Sequence, residues 1–200
     1  NAIRGEYWPE NNPEMSLEDA RFSVLRYFAA GIQNAYGPNV HDPRTGEIIK
    51  GQVSLGSLRV RQDYLIATGL LLPFGDEKKQ EDLMMKMSLA RIRQLAAHEI
   101  GHTLGLYHNY SASTLERSSV MDYPFPRIKL DDKGKIDLSD AYADGIGSWD
   151  KRAIIYGYQD FADKSKENDE HQQQPGLRAP RFLDRHRVLR FLGRGLLSLG

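Results

Sequence analysis

The stretch His98-Glu99-Ile100-Gly101-His102-Thr103-Leu104-Gly105-Leu106-Tyr107-His108 decides how this chain is read. It has the form H-E-x-x-H-x-x-G-x-x-H. Positions i and i+4 of a helix lie on one face, one turn apart, so His98 and His102 can aim two imidazoles at one point. Glu99 sits beside that face, where its carboxylate can reach a metal-bound water without being a ligand. Gly105 is the natural helix stop, because glycine enters the left-handed region without steric cost. The turn then brings His108 back as a third nitrogen ligand. Three histidines leave one position open on a tetrahedral Zn²⁺, which is the catalytic arrangement. A bare H-E-x-x-H fixes only three residues and arises by chance in helices. Gly105 and His108 at these offsets make chance a poor account.

Outward from that stretch the composition is ordinary. Two hundred residues suit one domain, or one domain with a tail, and can bury a core. Forty per cent apolar and 27% charged residues are globular values. Lys+Arg and Asp+Glu both count 27, so nothing argues for nucleic acid or a globally charged partner. No apolar run approaches the roughly 20 residues that span a bilayer. The chain has no cysteine, which excludes disulfides and thiolate ligands and leaves compartment unread from redox chemistry. It starts at Asn1 without a signal-peptide pattern, and we read it as an excerpt of a longer precursor.

Residues 1–20 read as an irregular lead-in, with a weak helix start at Ser16-Leu17-Glu18-Asp19. Phe22 to Phe28 is β-branched and aromatic and predicts a strand, with a short helix as the alternative. Ala30 to Gly46 carries Gly31, Gly37-Pro38, Asp42-Pro43 and Gly46, which predict a long loop holding a solvated His41. Glu47 to Leu55 predicts a strand, with Ile49, Val53 and Leu55 on one face and Lys50, Gln52 and Ser54 on the other. Leu58 to Leu72 predicts a helix with Leu58, Leu65 and Leu72 near one stripe, plus Val60, Tyr64 and Leu71, ended by Pro73-Phe74-Gly75. Asp76 to Asp82 predicts an exposed connection, and a long helix follows from about Glu81 to Leu104. Along it Met84, Met85 and Met87 suggest packing rather than a metal or membrane surface, and Arg91 and Arg93 suggest the solvated side. Asn109 to Ser119 is loop-like, and Asp131 to Lys135 reads as a turn without the spacing of a calcium loop. Ser148 to Tyr158 predicts a closing helix, with Ser148 as N-cap and Gly157 as stop. Residues 159–176 read as polar loop. Residues 178–200 hold six arginines and one acid, Asp184; they read either as a basic amphipathic helix or as a displaced tail.

The His98 to His108 motif, followed by Ser119-Val120-Met121-Asp122-Tyr123, resembles the metzincin zinc endopeptidases, whose signature joins this extended motif to a Met-turn. Tyr36-Gly37-Pro38-Asn39, Asp42 to Ile48 and the Trp149-Asp150-Lys151…Tyr156-Gly157-Tyr158 ending are similar to bacterial zinc-dependent metalloproteases long carried under uncharacterised-domain names. The resemblance covers roughly residues 20–160. It implies an α+β fold: a metzincin-like catalytic domain over 21–160, with a mixed twisted sheet packed on a long active-site helix. A smaller helical or irregular C-terminal part follows, and 161–200 is an atypical tail. It implies that Met121 is an apolar floor under the metal, that Pro124-Phe125-Pro126 walls the pocket for the residue after the scissile bond, and that an edge strand pairs with extended substrate. The 47–55 strand is the candidate for that edge; an internal strand of the same sheet is the alternative. It also implies export to the periplasm, cell surface or medium.

The function expected is zinc-dependent endopeptidase. His98, His102 and His108 hold Zn²⁺ and Glu99 is the general base. The resemblance, through the tyrosine that astacin-like and serralysin-like metzincins carry two residues after the Met-turn methionine, implies that the Tyr123 phenol donates to the tetrahedral intermediate. A buried structural role is the alternative for Tyr123. The partner is a peptide or protein substrate, with no nucleic acid and no transmembrane segment in this chain; oligomeric state is not readable. Two other classes stay open: a zinc-bearing binding or scaffold module with little turnover, and hydrolysis of a non-peptide amide. The intact Glu99 counts against the scaffold, because a structural zinc site closes its fourth position.

Overall fold

Strands β1 (Val24–Phe28), β2 (Asn39–His41) and β3 (Ile48–Gly56) form one sheet in the order β1-β3-β2. The computed structural model describes residues 6–7, 9, 14–28, 35–75 and 77–159. The expectations for residues 160–200, for much of the lead-in before residue 14 and for residues 30–34 of the loop lie outside them. β1 runs parallel to β3 and β2 antiparallel to it. β1 is the strand expected near residues 22–28, with Val24 buried and Leu25 and Tyr27 exposed. The loop expected over 30–46 is interrupted by β2, and Tyr36 forms a further antiparallel bridge to Ser54.

β3 lies where a strand was expected, but its alternation slips. Val53 and Leu55 are buried as the period of two demands, whereas Ile49 is exposed and Lys50 is buried. The cause is a bulge: Val40 pairs with Lys50 and His41 with Ile48, so Ile49 is the extra residue and the faces exchange there. Lys50 is tolerated inside because its ammonium donates to the carbonyls of Leu17 at 2.6 Å and Asp19 at 2.8 Å. Those bonds also tie down the lead-in. The Ser16–Asp19 segment is a turn rather than a helix start, with Asp19 paired to Arg21. β3 is bonded on both sides, so it is the internal strand and not the edge.

Helix α1 (Ser57–Leu71) follows β3 directly and ends in a 3₁₀ turn at Leu72–Phe74. Its buried face is Asp63, Ala67 and Leu71; Leu65 and Leu72 of the expected stripe are exposed. Helix α2 (Glu77–Thr103) begins four residues earlier than expected, so most of the connection expected over 76–82 is helix. α2 is the spine of the molecule, because three apolar clusters form along it. Met84 and Met87 pack with Ala67 and Leu71 of α1 and with Leu138, Ala141 and Tyr142. Leu95 packs on Val53 and Leu55 of β3. Ala97 packs on a cluster of Leu106, Val120, Met121 and Ala153. Each fully buried methionine contributes about 1.5–3 kcal/mol, so Met84 and Met87 are core, as the sequence suggested, whereas Met85, expected to pack with them, is exposed. Arg93 is on the solvated side, but Arg91 is buried, contrary to the sequence reading.

After α2 come a 3₁₀ segment (Tyr110–Leu115) inside the expected loop and a hairpin of β4 (Lys129–Leu130) and β5 (Ile136–Asp137). The Asp131 carboxylate accepts the Lys133 and Lys135 amides at 2.8 Å, which makes the expected turn. Helix α3 (Ser148–Tyr158) is N-capped by Gly147 rather than Ser148, and Asp150 reaches back to the Gly147 amide at 2.7 Å. Gly157 lies inside the helix, whose last residue, Tyr158, donates its hydroxyl to the Leu104 carbonyl at 2.9 Å. Among the described residues no helix is long and apolar enough to cross a membrane.

Candidate metal centre

α2 carries His98 and His102 on one face, and a glycine turn returns the chain beside them. Gly105 has φ +83°; its amide donates to the His102 carbonyl and the Leu106 amide to the Gly101 carbonyl, each at 3.0 Å. That pair of bonds is the Schellman closure of a helix, and it satisfies carbonyls the last turn would otherwise strand. The three histidines converge as a result. His102 Nε2 lies 3.1 Å from His98 Nε2 and 3.1 Å from His108 Nε2. Two nitrogens bound at 2.0–2.1 Å to one tetrahedral zinc stand about 3.3 Å apart, so this spacing fits the ion.

Each ring is held by its other nitrogen. His98 Nδ1 donates to the Val120 carbonyl at 2.7 Å and His102 Nδ1 to the Leu106 carbonyl at 2.8 Å. His108 Nδ1 is hydrogen-bonded to the Tyr110 hydroxyl at 3.0 Å. With Nδ1 carrying the proton, the three Nε2 atoms converge with their lone pairs available to one cation. Acceptors of this kind fix both tautomer and ring orientation in metal sites. Burial pushes His98 down to about 4, helped by His102 and His108 and opposed by the Val120 carbonyl. Burial also lowers His108. Both rings therefore stay neutral near neutral pH, as ligands must.

Glu99 is buried in the wall of the same cleft, which has a volume of about 910 Å³, within the roughly 300–1,000 Å³ range of ligand pockets. Burial raises its carboxyl above the usual range, while His102 and Arg91 pull it back. Tyr123 is half exposed in that cleft and donates its hydroxyl to His108 Nε2 at 2.9 Å, so it is not a buried structural tyrosine. Met121 is fully buried against Gly101: a Cβ at that glycine would stand 2.3 Å from the Met121 sulfur. The second free position of H-E-x-x-H must therefore be small for the methionine to lie under the helix. Pro124 and Phe125 do not line this cleft; they border a separate cavity of about 50 Å³. His41 lies on β2, exposed and bonded to Asn39, and is not part of the histidine group.

Sequence reasoning missed several partners. Tyr110 is one, although an aromatic two residues after the third histidine was visible. Asp150 is another, with Ser119 and Val120 on its carboxylate at 2.6 and 2.7 Å. Asn39 donates to the His102 carbonyl at 3.0 Å, and Gly37 lies so close to α2 that a Cβ there would stand 2.2 Å from the Glu99 carbonyl oxygen. Residues 36–39, not β3, form the sheet-side lip of the cleft. A family model described as Met-zincin matches residues 80–186, more than half of the chain. No curated protein and no solved structure matches it.

Proposed function

The chain belongs to the Met-zincin family, and from that premise we propose that it is a zinc-dependent endopeptidase. The observation that carries this is the convergence of three Nε2 lone pairs in a cleft that also holds Glu99 and Tyr123. His98, His102 and His108 would hold the ion. Zinc bound there would supply a water of lowered pKa, from about 15.7 towards ~7, and Lewis acidity for a scissile carbonyl. Everything else is the work of side chains. Glu99, next to His98 and raised by burial, takes a proton from the attacking water and returns it to the leaving amine. Tyr123, released from His108 once that nitrogen is engaged, is free to donate into the cleft towards a developing oxyanion. The lip at 36–39 stands beside these groups, where extended peptide can lie.

The test is an unbiased peptide library incubated with zinc-loaded and with chelator-stripped protein. The reading predicts internal cleavage by the loaded form only. Intact peptides beside one bound zinc per chain would move the function to a binding module, for which no observation here speaks.

A further inference from the structure

Arg91 stands seven residues before His98 on α2. Seven residues turn the helix almost twice and advance it about 10.5 Å, so both side chains leave the same face. Arg91 is only 6% exposed and lines the cleft of the histidines. Its guanidinium lies 5.4 Å from the centroid of the Tyr142 ring and donates to the Gln94 side chain. Its Nε has no partner, and among the described residues it makes no ion pair.

The obvious counter-charge is already committed. Asp63 of α1 is fully buried and pairs with Arg59, at 3.2 Å to Nη2 and 3.3 Å to Nε. Arg59 lines the same cleft. Arg59 and Arg91 are close enough to act on each other's charge and on that of Asp63. Two guanidiniums thus share one carboxylate. Arginine does not lose its proton in proteins, so Asp63 balances only one of the two charges. Glu99 feels Arg91 through space, without an ion pair between them. A buried cation without a partner is strongly unfavourable, and the open side of this one is the cleft.

We propose that Arg91, with Arg59 beside it, is a carboxylate-binding subsite, and that the peptide cleaved carries a carboxylate there. The inference rests on the endopeptidase reading for its substrate, but the unpaired Arg91 guanidinium does not depend on that reading. An extended chain advances about 3.3 Å per residue, so a peptide carboxylate reaches Arg91 from within about three residues of the scissile bond. The carboxylate belongs either to an acidic side chain or to the C-terminus. Arg91 also has a structural use: it holds Gln94, whose amide donates to the Val120 carbonyl at 3.2 Å, the carbonyl that orients His98. The test has to separate these roles.

The experiment compares peptide pairs that differ only as Glu against Gln, at each of three positions on either side of the bond, with both ends blocked. A second set has neutral side chains and a C-terminus either free or amidated. Wild-type protein loaded with zinc is assayed for kcat/KM, and zinc-loaded Glu99→Gln protein for binding by fluorescence anisotropy. The subsite predicts a preference of about tenfold or more for the carboxylate at one position, from charge-assisted hydrogen bonds to arginine. Preference in the blocked set assigns it to a side chain, and preference only in the second set assigns it to the terminus. Arg91→Gln should bring the ratio near one, and Arg91→Lys should keep part of it. A purely structural Arg91 would slow acidic and neutral peptides alike and leave the ratio intact. If Arg91→Gln does not fold, the wild-type ratio and Arg59→Gln still decide. Ratios near one in wild type overturn the proposal. If no peptide is cleaved the endopeptidase reading fails, and the binding ratios decide the subsite independently.

Discussion

Replacing Asp150 by alanine should destabilise the fold and loosen the metal centre together. Asp150 is 2% exposed on α3 and accepts three hydrogen bonds, from Ser119 Oγ at 2.6 Å, the Val120 amide at 2.7 Å and the Gly147 amide at 2.7 Å. Hydrogen bonds to a charged group contribute about 1.5–3 kcal/mol each, and a stranded buried donor costs about 1–3 kcal/mol. Water can reach the Gly147 side, which is only half-buried. The three contributions do not add fully, and we expect a loss of about 3–5 kcal/mol. That is a large part of a typical stability of about 5–15 kcal/mol. The same Val120 whose amide is held by Asp150 offers its carbonyl to His98 Nδ1. Loss of an outer-shell partner typically costs about 10–100-fold in metal affinity, and a shifted Val120 peptide should cost as much. Urea unfolding of the metal-free protein measures the first effect, and competition with a chromophoric zinc chelator measures the second. A loss under about 1 kcal/mol with unchanged zinc affinity would refute the reasoning. Lost stability with normal affinity would break only the link from α3 to His98.

Three other outcomes follow from the same geometry. Gly101→Ala forces a methyl group onto the Met121 sulfur and should cost about 1–3 kcal/mol; adding Met121→Ala should recover part of that loss in thermal unfolding, and strict additivity would contradict the contact. Tyr110→Phe removes the hydroxyl bonded to His108 Nδ1 from an exposed residue, so zinc affinity should fall about tenfold with little change in melting temperature; an unchanged chelator competition curve would assign His108 another anchor. His98 is held at about 4 in the fold and titrates near ~6.5 when unfolded. A depressed histidine contributes stability that is complete above about 6.5 and is lost as pH falls towards about 4, a swing of about 3 kcal/mol in the metal-free protein. Urea titrations at pH 7.5 and 4.5 should show that swing and show it reduced in His98→Asn; equal slopes in both proteins would contradict the burial argument.

What was legible in the sequence was local. The histidine spacing, the Gly105 stop and the α2 helix depend on residues a turn or two apart, and the structure keeps them. What was not legible depended on distant partners. The phase of β3 slips because β2, a three-residue strand, pairs with a bulge at Ile49, and no pattern inside 47–55 records that. Lys50 reads as a solvent residue until Leu17 and Asp19 supply carbonyls from about thirty residues away. On α1, Leu65 and Leu72 look like a core stripe, yet α2 takes the face with Asp63 and Ala67. Arg91 was placed in solvent for its charge, although its position two turns before His98 already set its face. Asp150 was read as part of a helix start. Its tie to the Met121 turn spans about thirty residues of sequence and only the fold reveals it.

The most direct test of the central claim is the turnover of Glu99→Gln beside wild type, each with its zinc content determined on the same sample. Gln keeps the shape of the side chain and removes the base. The account predicts one zinc per chain in both proteins, with internal peptide cleavage by wild type and a loss of about 10²-fold or more in the variant. Cleavage by Glu99→Gln within a few-fold of wild type, at full zinc occupancy, would contradict it.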